Sequence, residues 1–384
     1  MTLQAQRWLR WGGATLAFAL SSAPAAPAAA AAGLAERTAA WTERIGARIQ
    51  AAPDPVAGLS DAQLAGQRVV VGFDGTRAPE AVLRRAAAGE LGGVILFARN
   101  VSSRSQVRSL TADLQAAAGR GPGGRPLLVM IDQEGGQVSR LPGPPRRSPA
   151  EVGRSGSEAV ARSEGRATGR SLQGVGINLD LAPVVDVARP GTNMRKLGRS
   201  YGGSTARVTR LAGAFAAGLR ASGVLSCAKH WPGLGLARGD EDLRLNRIEA
   251  PLERLRAVDE PPFVDAHTDL VMVSTGLYPA LEETPALFSR KIATDELRGR
   301  LGFTGTTITD DLEVPALAPS GSAADRAKGA ALAGNDLLLF AQSAEQGFAA
   351  AGALERSLSA GTLDRAEFEA AARRTLDLRS RVGG

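Results

Sequence analysis

Lys229 and His230 stand side by side in the run Lys229-His230-Trp231-Pro232-Gly233, in a chain of 384 residues that holds four lysines and two histidines against 42 arginines. The pair ends the apolar run Val224-Leu225-Ser226-Cys227-Ala228, and Pro232-Gly233 turns the chain immediately afterwards. The bland reading is a loop lysine and a satisfied structural histidine. Other apolar runs end in the same way, however. Met130-Ile131 gives way to Asp132-Gln133-Glu134-Gly135-Gly136, and Ile308-Thr309 to Asp310-Asp311. Carboxylates set among Lys, Arg and His suit nucleophilic attack and proton transfer at an acetal carbon, with fixed charges holding hydroxyl groups nearby.

Such residues can cooperate only if the elements before them bring their ends together. Strands are expected at Arg68–Phe73, Gly93–Phe97, Leu127–Ile131, Ile177–Val187, Val224–Ala228, Leu270–Val273, Thr306–Thr309 and Asp336–Phe340. Helical patterns lie between them at Glu80–Ala88, Arg104–Ala118, Ser157–Gln173, Thr205–Ala221, Leu252–Asp269, Ser289–Leu301 and Ala323–Ala333, with a last one at Leu363–Leu378. Short apolar strands alternating with helices predict an α/β fold, a (β/α)8 TIM barrel with one catalytic domain. An open doubly wound sheet is the second choice. In a barrel, the strand ends converge on one rim.

Residues 1–32 read as a signal peptide: Arg7 and Arg10 precede a short apolar core, Trp11 to Leu20, and Ala-rich stretches offer cleavage sites. Residues 33–59 read as an N-terminal helix (34–50) and linker, and 60–384 as the barrel. The expectation is a secreted or extracytoplasmic protein with no membrane insertion once the leader is removed. The formal charge of +7 is scattered as Arg among Asp and Glu, with no aromatic-interleaved basic run, so nucleic acid is not an expected partner. Cys227 is the single cysteine and is expected to pack as a small apolar residue. Two histidines and one cysteine offer no metal cluster, and Gly174-Val175-Gly176 precedes a strand instead of following one, so neither a metal nor a cofactor is expected. The chain is expected to be a monomer.

Five motifs in order carry a resemblance: Ile131-Asp132-Gln133-Glu134-Gly135-Gly136, Leu181-Ala182-Pro183-Val184-Val185-Asp186, Gly198-Arg199-Ser200-Tyr201, Lys229-His230-Trp231-Pro232-Gly233 and Thr309-Asp310-Asp311-Leu312. Together they resemble glycoside hydrolase family 3, in its single-barrel β-N-acetylglucosaminidase branch, over about residues 60–380. The resemblance implies that Asp310 is the nucleophile of a retaining mechanism and that Asp132, Arg140, Arg199, Lys229 and His230 bind the sugar. Asp311 is expected to be a capping or structural partner. Asp186 is placed outside the site as a loop holder, Glu134 as a turn residue, and His267 as a structural residue inside a helix.

One loop departs from the family. This branch continues Pro-Gly-His-Gly and ends the loop Asp-Ser-His, whose Asp and His form the acid/base dyad. Here Leu234 replaces the first His, Asp240 matches the dyad Asp, and Asp242 stands where the acid/base His belongs. The family's Met-Pro-Ala-His segment reads Met272-Val273-Ser274-Thr275. Two readings follow. In one, Asp242 serves as acid/base with its pKa raised by neighbouring carboxylates, in an enzyme releasing β-linked N-acetylglucosamine or a related sugar from cell-wall fragments. In the other, the same barrel is a carbohydrate-binding protein without turnover.

Overall fold

The computed structural model describes residues 54–382. The leader and the helix expected at 34–50 lie outside them. Eight strands alternate with helices: β1 Val69–Val71, β2 Gly93–Leu96, β3 Leu128–Ile131, β4 Leu179–Asp180, β5 Leu225–Trp231, β6 Leu270–Val273, β7 Thr306–Thr309 and β8 Leu338–Phe340. They form one parallel sheet in the order β7-β6-β5-β4-β3-β2-β1-β8. Leu337 N donates to Thr307 O at 2.9 Å and Thr309 N to Leu337 O at 3.0 Å, which joins the two edges. The sheet is therefore a (β/α)8 barrel, and the open-sheet alternative falls.

Every strand is buried on both faces, and its alternation sorts its residues into two cores. Val70, Ile95, Leu128, Met130, Leu179, Cys227, Leu270, Met272, Ile308 and Leu339 belong to the inner cluster. Val69, Val71, Val94, Leu96, Val129 and Ile131 pack outward in the larger cluster with the helices. Cys227 is a fully buried member of the inner layer. The helices are begun by serine caps: Ser103, Ser157, Ser322 and Ser343 each accept a first-turn N–H through the side chain.

Three expected elements differ. The fourth strand is regular only at Leu179–Asp180, with an isolated bridge from Val184 to Lys229, because Pro183 brings no N–H to the ladder. The single helix expected over Leu252–Asp269 is broken into Leu252–Arg254, a π-turn at Leu255–Asp259, and Pro262–Asp265, since Pro261-Pro262 cannot continue a helix. His267 consequently lies outside helix, exposed and with φ +51°. A helix at Ala344–Ser359, which the pattern reading passed over, covers the barrel after β8. Its buried face is Gly347, Ala350, Ala351, Leu354 and Leu358, mostly too small to give a strong apolar signal. Gly347 is required there, because a Cβ would sit 2.4 Å from Val71 Cγ1.

Candidate active site

The inward alternation does not stop at the last apolar layer. Continued by two residues, β3 reaches Asp132, β5 reaches Lys229 and β7 reaches Asp310, and all three line one pocket at the C-terminal mouth of the barrel. The cavity volume is about 170 Å³. His230 enters the same pocket because β5 bulges against β6: Ala228 pairs with Val271, but Trp231 pairs with Val273. Phe97, Leu181, Met272 and Leu339 supply apolar wall.

Asp310 is half-buried, and its two oxygens differ. Oδ1 accepts from Asp311 N at 2.9 Å, while Oδ2 has no hydrogen-bond partner. Burial pushes its pKa up; the charge of His230 opposes this and Glu241 adds to it. Asp311 Oδ1 accepts from Glu313 N and Ala341 N, each at 3.0 Å, and so ties the turn after β7 to the end of β8. That is the partner role expected of it.

The sugar-binding candidates form a chain of alternating charge. Lys229 Nζ lies 2.6 Å from Asp132 Oδ1 and 2.7 Å from Glu134 Oε1. Arg199 grips Glu134 with two parallel bonds of 2.9 Å and reaches Glu241 Oε1 at 3.0 Å. Burial alone would keep Glu134 neutral, but Arg199 and Lys229 outweigh it and hold the carboxyl well below the usual carboxylate range. Burial likewise disfavours the Lys229 cation, and Asp132 and Glu134 more than compensate. Arg140 also lines the pocket, with its guanidinium 5.9 Å from the Phe97 ring centre and a buried Nε that has no hydrogen-bond partner. His230 Nδ1 is 2.8 Å from Asp186 Oδ2, a carboxylate that also accepts from Leu234 N at 2.6 Å. An ionised carboxylate only accepts, so Nδ1 carries a proton and Nε2 faces the pocket, 3.4 Å from Arg199. Burial lowers the pKa of His230, but Asp186, with Asp310 adding to it, leaves it above its ordinary value.

The departing loop supplies two more acids. Asp242 stands on the pocket rim, open to solvent on one side. Partial burial, then Asp310, Glu241, Asp240 and Asp311, push its pKa up to about 7. Asp240 is not among the pocket residues: its Oδ1 accepts from Asp242 N at 3.1 Å, so it shapes the turn that presents Asp242.

The structure thus brings Asp310, Asp242, Asp132, Arg140, Arg199, Lys229 and His230 together and leaves Asp240 outside. Three contributors were not read as site residues. Glu134 is a strand residue of the short hairpin Gln133–Gly135/Val138–Ser139, with its side chain turned to the cations. Asp186 orients His230. Glu241 received no role of its own. Charge balance is the signal that could have found them, since buried Lys and Arg need carboxylate partners. Replacing Lys229 with alanine leaves Asp132 and Glu134 without their shared cation, and a loss of about 3 kcal/mol of stability is expected. A urea midpoint equal to the parent's would contradict this.

Comparison with known proteins agrees with this geometry. Residues 62–378 match the glycosyl hydrolase family 3 N-terminal domain. A secreted glycosyl hydrolase of Arthroderma benhamiae is 38% identical over 347 residues, 88% of this chain and 98% of that protein. A β-hexosaminidase of Pseudomonas aeruginosa is 35% identical over 273 residues, 70% of this chain and 80% of its own length. The solved family 3 β-N-acetylglucosaminidase of a Paenibacillus species superposes with a TM-score of 0.80 at 33% identity, over 85% of this chain; the chain spans 63% of that longer protein. With its motifs in order and its carboxylates on the rim of the barrel, the chain belongs to glycosyl hydrolase family 3, a family of glycosidases.

Proposed function

We propose that this protein is an exported retaining glycosidase that removes terminal β-linked N-acetylglucosamine, or a closely related β-hexosamine, from cell-wall fragments. The observation that carries the reading is the pairing of two carboxyl groups in one pocket. Asp310 has an oxygen free of hydrogen bonds, and Asp242 holds a proton near neutrality. In the first step Asp310 Oδ2 attacks the anomeric carbon while Asp242 gives its proton to the departing oxygen. In the second, Asp242 takes a proton from water, which displaces Asp310 from the sugar with net retention. Asp132, Lys229, Arg140, Arg199 and His230 hold the hydroxyl groups. The Arthroderma and Pseudomonas relatives support export and hexosamine preference, respectively. Among the described residues no helix is long and apolar enough to cross a membrane.

The test is aglycone release from aryl β-N-acetylglucosaminide compared with aryl β-glucoside. Faster release from the former is expected. Sugar binding by calorimetry without release of any aglycone would favour the carbohydrate-binding reading. The pH dependence is also set. Asp242 must start protonated, so kcat/KM for a poor leaving group is expected to fall as pH rises through about 7. A plateau extending to pH 9 would remove Asp242 from the donor role.

A further inference from the structure

The loop that carries Asp242 is fastened by its backbone at both flanks. Asn193 N donates to Ala237 O at 2.8 Å, and Ala316 N to Asp242 O at 3.1 Å. Asn246 clamps Gly239 from both sides, accepting from its N–H at 3.0 Å and donating to its carbonyl at 3.2 Å. Side-chain contact between the loop and the sugar-binding wall comes from Glu241. Its Oε1 lies 3.0 Å from Arg199 Nη1 and its Oε2 is 3.4 Å from Asn193 Nδ2. Both ends of the ion pair are sheltered, with 12% and 8% of the side-chain surfaces exposed, so solvent screens it poorly.

We propose that Glu241 is a positioning residue: its ion pair with Arg199 latches the 239–246 loop to the sugar-binding wall and keeps Asp242 facing Asp310. The proposal rests on Asp242 being the acid/base. Glu241 is itself a poor donor. Burial opposes its ionisation, but His230 and Arg199 outweigh burial and hold its carboxyl below the usual range. The groups facing Asp242 are Asp310 and Asp311 from the end of β7 and Glu241 and Asp240 from its own loop. Arg199 and His230 face Glu241 from the opposite side. Arg199 therefore serves two ends at once, a hydroxyl of the sugar and the loop that delivers the proton.

Glu241→Gln keeps the size of the side chain and removes its charge. With an alkyl β-glycoside, kcat is expected to drop roughly 10- to 100-fold, the scale of a misplaced catalytic group. The basic limb of kcat/KM is expected to move to lower pH, because one carboxylate facing Asp242 is gone; a purely structural residue would not move it. In the double variant with Asp242→Asn, no further loss on the alkyl glycoside is expected beyond that of Asp242→Asn alone. Circular dichroism and the melting temperature confirm that each variant is folded. Parent-like kinetics of Glu241→Gln would overturn the latch, as would losses that multiply in the double variant. Rescue of Glu241→Gln by azide on an aryl glycoside would overturn it too, by making Glu241 the acid/base. Parent-like behaviour of the single Asp242→Asn variant sinks the acid/base reading, and the latch with it, in a measurement that does not involve Glu241.

Discussion

Asp310→Ala is expected to lower kcat/KM by about 10,000-fold or more, the scale seen when a covalent nucleophile is removed. The melting temperature is expected to stay the same or rise. Both outcomes come from one geometry. Asp310 lines the pocket and its buried Oδ2 has no hydrogen-bond partner, so in the proposed mechanism the substitution removes the attacking carboxylate. The same carboxyl is held away from water beside Glu241 and Asp311, an arrangement that destabilises its charge in the folded state. The variant loses Asp310 Oδ1, which accepts from Asp311 N. That single bond is worth about 1 kcal/mol, to be set against relief of like-charge repulsion. Turnover of aryl β-N-acetylglucosaminide and a calorimetric scan check the two halves. Activity within tenfold of the parent would remove Asp310 from the role, and a collapse in melting temperature would mean that the residue is structural.

Asp242→Asn is expected to separate substrates by leaving group. Alkyl glycosides, which need a proton on the departing oxygen, should lose up to about 10,000-fold; activated aryl glycosides should be affected much less in the bond-breaking step. Added azide should restore turnover of the aryl substrate by attacking the glycosyl-Asp310 intermediate without help from a base. The substitution also carries a stability signature. The folded pKa, about 7, lies above the ordinary 3.8, so the native state binds this proton more tightly than the unfolded chain does. Its contribution is therefore intact below about pH 4 and is lost as pH rises to about 7. Asparagine has no proton to lose, and the variant should not show that decline. Equal loss on both substrate classes, without azide rescue, would contradict the assignment.

The barrel was legible because its strands are apolar runs of the right length, and Asp310, Lys229 and His230 were legible as pocket residues because they follow those runs directly. Position along a strand converts to position in space through a period of two, and the same rule reached Asp132. The loops resisted the reading. Asp240 and Asp242 are separated by one residue and were both expected in the site, yet a hydrogen bond from Asp242 N to Asp240 makes one a turn-former, while the other lines the pocket. Glu134 was misjudged because its Gly-Gly neighbours signal a turn, while its partners, Lys229 and Arg199, are 95 and 65 positions away in the chain. The helix at Ala344–Ser359 was missed because glycine and alanine fill three of its five buried positions.

The proposed nucleophile and the proposed proton donor are anchored in unlike ways. Asp310 is fixed by the register of β7, which cannot shift without turning the barrel lining outward. Asp242 hangs from a loop secured by backbone bonds, the Asn246 clamp on Gly239 and the Glu241–Arg199 ion pair, none of which uses the side chain of residue 242. In the proposed reaction one carboxylate is set by strand register and the other by a loop, so the two answer to separate structural constraints. A substitution at position 242 leaves the register that fixes Asp310 untouched, so the proton donor of the proposed reaction can be changed without disturbing the barrel lining. Directed evolution confined to residues 236–246 is the laboratory counterpart of that freedom.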